Sequence, residues 1–253
     1  MMASGLNAFF LAAALTVSVG FAGPEEVNEV VSRARAYLGS EEALEAVRTV
    51  HFRGNLTTGD NLKAEIEIIF QKPYRQRIVT TTRERREITA LDGYEAWQRY
   101  EDLKDPERWR MSLMQKEQVK RLRANTWENL AFYRGIERKG GRIEDLGMAE
   151  VGGHAARKLS FVHDTGSVFT RYFDKQTGRL LLTENEQGGT IREEGEIMAG
   201  GIRFPKRIIT LMKLQDGKQR SVTIEFTAIA INESFADELF VVPPVVPIPA
   251  KPN

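Results

Sequence analysis

His51, His154 and His163 are the only histidines of this 253-residue chain, which contains no cysteine. Metal binding and nucleophilic catalysis both start from such groups, and no two of these histidines stand at a metal-ligand spacing. His154 and His163 are an odd number of residues apart, so on one strand they face opposite sides. Gly-x-Ser-x-Gly, Ser-x-x-Lys and phosphate-loop patterns are absent. Paired carboxylates such as Glu184 and Glu186 could serve a hydrolase, because glycosidase acids carry no local signature. The residues nominate no catalytic group, no metal ligand and no cofactor.

What they offer is apolar surface at a period of two. Ile66, Ile68, Phe70, Phe161, Phe173 and Phe226 stand on the more apolar faces of short alternating segments, and Trp97 and Trp127 are large enough to shape a cavity or its mouth. These eight are the candidate ligand-binding residues, and the ligand they suit is hydrocarbon. Ordinary core packing accounts for them equally well. Burying a fatty chain gains about 0.8 kcal/mol per methylene and needs no polar chemistry, so a lipid binder can lack any catalytic motif.

The elements that position these residues begin with two helices. Pro24 to Leu38 carries Val27, Val30, Val31, Ala34 and Leu38 at helical spacing and closes on Gly39. Ser40 is a natural N-cap for a second, short helix with Glu41 and Glu42 in its first turn. From Thr49 the period becomes two. Lys63 to Phe70 alternates apolar with acidic positions, and further strands are expected at Val50–Thr57, Gln76–Thr82, Glu87–Leu91 and Tyr94–Tyr100, the last entered through an Asp92-Gly93 turn. The second half predicts strands at Ala155–His163, Ser167–Phe173, Leu180–Glu186, Thr190–Met198, Ile202–Leu214 and Arg220–Ile231. Between the halves, Ser112 to Tyr133 reads as helix in two pieces, with capping boxes at Ser112/Gln115 and Asn125/Glu128.

About eleven strands with few helices cannot stay flat. The expected fold is α+β and mostly β: one curved, meandering antiparallel sheet closing into a half-open barrel, its concave face covered by helices.

Residues 1–22 carry no charge, and Phe9 to Leu15 is an apolar run followed by Gly20-Phe21-Ala22, which reads as an export leader cleaved after Ala22. Residues 23–242 then form one domain, and 243–253 form a proline-rich tail. The mature chain is expected to be a soluble periplasmic monomer. With 36 basic and 35 acidic residues it has no global attraction for nucleic acid. The cluster Arg75, Arg77, Arg83, Arg85 and Arg86, interleaved with Glu84 and Glu87, is expected to be a solvated hairpin that could also meet anionic head groups.

Several segments resemble the LolA-like periplasmic lipoprotein carriers. Phe70-Gln71-Lys72-Pro73-Tyr74-Arg75 is similar to that family's strand ending in a basic residue and proline, and Asp92-Gly93 with Trp97 to its Asp-Gly-x-x-x-Trp hairpin. Tyr172 to Gly178 resembles its D-x-x-T/S-G turn, and Gly201 to Pro205 and Asn232 to Pro243 resemble later landmarks. The resemblance implies an eleven-stranded half-barrel whose cavity takes the acyl chains of a lipoprotein or lipid cargo, received from an inner-membrane donor and passed to an outer-membrane acceptor. It also implies a lid latch at Lys72, where the best-known members have arginine. A lysine lacks arginine's rigid donor fork, so such a latch would be weaker. The family's aromatic beyond the proline falls near Gln76. A sensor domain of the same fold is the alternative to a carrier, and a periplasmic hydrolase is a third reading for which no site is visible.

Overall fold

A computed structural model describes residues 24–186, 188–213 and 217–244. The expected export leader, residues 1–22, and residues 245–253 of the expected tail lie outside the described residues.

Helix α1 (Pro24–Leu38) and helix α2 (Glu41–Ala46) precede six strands: β1 (Thr49–Thr58), β2 (Lys63–Gln71), β3 (Arg75–Thr81), β4 (Arg85–Asp92), β5 (Glu95–Asp102) and β6 (Trp109–Leu113). Helix α3 (Lys116–Ala131) follows, and then β7 (Arg142–Val151), β8 (His154–Val162), β9 (Val168–Asp174), β10 (Leu180–Asn185), β11 (Thr190–Glu194), β12 (Ile197–Ala199), β13 (Ile202–Phe204), β14 (Arg207–Lys213) and β15 (Gln219–Ile231). Thirteen strands form one antiparallel sheet in the order β6-β5-β4-β3-β2-β1-β15-β14-β11-β10-β9-β8-β7.

The sheet is thus two meanders joined where β1 pairs with β15, and not one continuous meander. The join puts β6 and β7, neighbours in sequence, at opposite edges. The chain between them must pass from one edge to the other, and α3, packed over β2, β3 and β4, makes part of that passage. This connectivity is why a helix lies over the concave face.

The predicted two-piece helix is corrected at both ends of the reading. Ser112 lies in β6 opposite Gln98, so it cannot cap a helix. The cap is Gln115, whose backbone N–H donates to the Gln118 side chain at 2.9 Å. Asn125 and Glu128 sit inside one uninterrupted helix, where their side chains make tertiary contacts.

The expected strands Thr190–Met198 and Ile202–Leu214 are each broken. Gly195, at φ +63°, turns the chain out of β11, and Pro205, without an N–H for a ladder, separates β13 from β14. The excised piece folds into a β12–β13 hairpin through Gly200-Gly201. Its Ile202 and Phe204 are buried with Leu44, Val47, Phe52 and Phe226 in the main core. Strand β7 lacks an apolar alternation, and its own pairing with β8 defines it.

Two landmark glycines have steric reasons. A Cβ on Gly39 would stand 2.7 Å from the Gly201 carbonyl oxygen, so α1 can end against the β12–β13 turn only with glycine there. In the Asp174 to Gly178 turn, the Asp174 carboxylate accepts from the backbone N–H of Gln176 and of Thr177 at 3.0 and 2.8 Å. Gly178, at φ +77°, then meets the α1 backbone at Arg33, where a Cβ would lie 2.6 Å from the carbonyl carbon. That turn is the seat for α1.

Candidate functional site

Cross-strand register decides which residues share the concave face, because directly opposed residues point the same way. Phe70 opposes Gln76, which opposes Leu91, which opposes Ala96, and all four are buried beneath α3 or the core it closes. Leu91 and Ala96 pack with Val119 of α3, and Leu130 and Phe132 pack with Phe52, Ile68 and Phe70.

Two polar ties hold α3 there. Arg35, in the apolar stripe of α1 and 2% exposed, donates to the carbonyls of Phe132 at 2.8 Å and Ala131 at 3.2 Å. It also grips both Glu41 carboxylate oxygens, at 2.8 and 2.7 Å, which binds α2 into the same joint. Beneath the middle of α3, the fully buried Gln76 carbonyl accepts from Asn125 at 3.2 Å and from the Thr126 hydroxyl at 3.1 Å.

Between α3, the sheet and the β12–β13 hairpin lies a cavity of about 260 Å³. Phe52, Ile68, Phe70, Ile78 and Phe226 form its sheet side, Phe132 and Tyr133 its helix side, and Phe204 its hairpin side. The volume falls just under the ~300–1,000 Å³ of pockets that take drug-sized ligands. A whole fatty chain therefore requires α3 or the hairpin to shift, whereas part of one fits as the cavity stands.

One end of the cavity is charged. Glu128 of α3 is buried, its carboxylate shared between His163 Nε2 at 2.6 Å and the Arg171 guanidinium. Burial disfavours its ionisation, but Arg171 and His163 outweigh that and hold the carboxyl below the usual range. Arg171 lies among the rings of Tyr133, Phe161 and Phe169, and its Nε–H has no acceptor among the described residues. Glu193 also lines the cavity, and burial pushes its carboxyl up to about 7, with Arg171 and Arg179 pulling the other way. Among the described residues no group of three or more His, Asp or Glu could hold a metal ion.

The sequence candidates divide among four places. Ile68, Phe70 and Phe226 line the cavity, and Ile66 is buried in the same cluster behind them. Phe161 and Phe173 pack under α1 with Val31, Ala34 and Leu159 and do not line it. Trp127 faces the opposite way, into a groove on the outer side of α3. Trp97 opposes Ala90 on the convex face, where it packs with Ile88 and donates its indole N–H to the Phe240 carbonyl at 2.9 Å. Lys72 makes no side-chain hydrogen bond or ion pair among the described residues. Burial and the nearby Arg48 and Arg35 cations depress its ammonium pKa.

Arg35, Arg171 and Glu193 were not singled out from the sequence, and Gln76 was noted there only as the position near the family's aromatic. Each carries the same signal: a polar side chain in register with an apolar face. Arg35 is four residues after Val31, Gln76 two before Ile78, Arg171 between Phe169 and Phe173, and Glu193 two after Ile191.

The fold is LolA-like. The chain is similar to a LolA superfamily protein from Nitrosomonas europaea (11% identity, 85% of this chain and 97% of that one, TM-score 0.54). It is similar to a DUF1329 family protein from Desulfovibrio piger (10% identity, 85% and 97%, TM-score 0.54). A domain from Vibrio parahaemolyticus assigned to outer membrane lipoprotein sorting matches at 8% identity over 84% and 97% with a TM-score of 0.53. No family model and no curated protein matches the sequence.

Proposed function

We propose that this protein is a periplasmic carrier that shelters acyl chains of a lipoprotein or lipid on the way to the outer membrane, without catalysing a reaction. The observation that supports it is the cavity between Ile68, Phe70 and Phe226 on the sheet and Phe132 on the segment that α3 leads into. Its apolar wall supplies the burial that holds a hydrocarbon chain. Its small volume makes α3 and the β12–β13 hairpin the elements that move, and Arg35 and Gln76 set the cost of moving them. Donor and acceptor proteins in the two membranes are the partners such a cycle requires. Among the described residues no helix is long and apolar enough to cross a membrane.

The test is binding of a fluorescent long-chain acyl probe to residues 23–253, together with mass spectrometry of lipid extracted from the purified protein. Saturable binding that Ile68→Trp or Phe226→Trp weakens tenfold or more, with the fold intact by circular dichroism, supports the carrier reading. Undiminished binding in both filled-cavity variants, or none in the parent, overturns it.

A further inference from the structure

The outer face of α3 carries a second site. Lys116, Lys120, Arg123 and Trp127 recur at intervals of four, three and four residues, which places them along one side of the helix, away from Glu128. Opposite them stand Tyr74 and Tyr94 on one wall and Lys139, His163 and Asp164 on the other, enclosing a groove of about 650 Å³.

The groove is ordered by its aromatic side chains. The Arg123 guanidinium is clamped between two rings, 4.1 Å from the Tyr74 centroid and 3.9 Å from that of Tyr94, and donates to the Gly93 carbonyl at 2.6 Å. Trp127 lies 6.2 Å from Tyr74 and carries Lys139 Nζ 5.7 Å from its own centroid. Among the lining residues Asp164 is the sole carboxylate against Lys116, Lys120, Arg123 and Lys139. Only Lys120 among these four cations has an ion-pair partner among the described residues, Glu117 at 2.8 Å. The buried Thr165 hydroxyl that lines the groove has no hydrogen-bond partner among the described residues. A built, cationic cleft with an idle donor on a chain of net charge +1 calls for an anion.

At the lip an aromatic side chain projects into solvent: Tyr94 is 81% exposed. Cations set back from a protruding aromatic tip match the layering of a bilayer surface, where phosphates lie above the acyl boundary and tyrosine sits at head-group level.

We propose that this groove seats the protein on anionic membranes, taking a phospholipid phosphate among Lys116, Lys120, Arg123 and Lys139 while Tyr94 enters the interface. The seat is on the helix whose other face closes the cavity: His163 at the groove forms the 2.6 Å contact to Glu128 at the cavity. The proposal does not depend on what the cavity holds.

It is tested by co-sedimentation of residues 23–253 with vesicles of phosphatidylglycerol and phosphatidylcholine in equal parts, against phosphatidylcholine alone. Binding to the anionic vesicles only, weakened by salt, is expected. Each cation near such a surface is worth roughly fivefold in partitioning, so Lys116→Gln with Lys139→Gln should weaken binding about 25-fold. Tyr94→Ser should weaken it at unchanged charge. Both variants should keep the parent's melting temperature and its acyl-probe binding, which separates a failure here from a failure of the cavity reading. Equal binding to both vesicle types, no vesicle binding, displacement by millimolar inorganic phosphate, or capture of a polyglutamate peptide without vesicle binding would each overturn the proposal.

Discussion

Arg35 donates to the Phe132 carbonyl across 2.8 Å, which fastens the end of the helix covering the cavity to the first helix of the domain. The same guanidinium is forked onto Glu41, so one buried cation joins all three helices. Replacing it by methionine keeps much of the stem and removes every one of these bonds. Arg35→Met should cost about 3 kcal/mol in urea unfolding and speed amide exchange in Lys116–Ala131 more than in the sheet. Lys72→Ala should leave exchange in α3 as it is. If the effects of the two variants were reversed, Lys72 would be the latch.

Glu128 is the only carboxylate bonded to Arg171 among the described residues. Glu128→Gln leaves that buried guanidinium short of its counter-charge and should lower stability by about 3–5 kcal/mol, read from the denaturation midpoint. Glu128→Leu combined with Arg171→Met removes both charges and should recover more than half of the loss. A double variant no better than the single would mean that the pair contributes through packing and not through charge.

Burial pushes the Glu193 carboxyl up to about 7 in the fold, against an ordinary 4.5. Between those values the native state holds a proton that the unfolded chain has lost, so this group makes stability fall as pH rises from about 4.5 to about 7 and contributes no further slope above that. Glu193→Gln removes the slope. Relative to the parent it should be about 3 kcal/mol more stable at pH 8 and unchanged at pH 4. Parallel stability profiles for the two proteins across this range would show that the carboxyl is not desolvated.

Trp97 lies under the C-terminal segment, with Phe240 and Val242 against it. Trp97→Phe keeps the ring contact and loses the indole donor, at a cost of about 1 kcal/mol. Limited proteolysis between Asn232 and Pro243 should become faster, while acyl-probe binding should not change. A loss of probe binding would place Trp97 in the ligand's path.

Gly39→Ala sets a methyl group 2.7 Å from the Gly201 oxygen and forces α1 and the β12–β13 hairpin apart. A melting temperature lowered by the equivalent of about 1–3 kcal/mol is expected, with the change in protection concentrated in that hairpin. An unchanged melt would show that the contact yields freely.

Much of the architecture is written in local pattern. The stripe from Val27 to Leu38 specifies α1, Ser40 caps α2 with a 3.2 Å bond to the Ala43 N–H, and Asp92-Gly93 joins β4 to β5. Alternation in Lys63 to Phe70 told one face from the other, because the period of a strand is two whatever it pairs with. Alternation could not say that β1 would have β15 as its second neighbour, nor that β6 and β7 would lie at opposite edges, since pairing partners far apart in sequence leave no local trace.

By itself, then, the sequence determined a mostly β fold with Ile68, Phe70 and Phe226 on apolar strand faces, because hydrophobic periodicity and turn residues act over a few positions, while the LolA-like assignment came from the resemblance of its motifs to that family. Tertiary structure decided which apolar residues share an enclosed space. Register sent Trp97 to the convex face, the rotation of α3 sent Trp127 outward, and the breaks at Gly195 and Pro205 folded Phe204 inward. It also decided that Arg35, Gln76, Arg171 and Glu193, polar residues out of place in apolar stripes, gather around one cavity, since a buried polar group's partner is set by packing in three dimensions and not by distance along the chain.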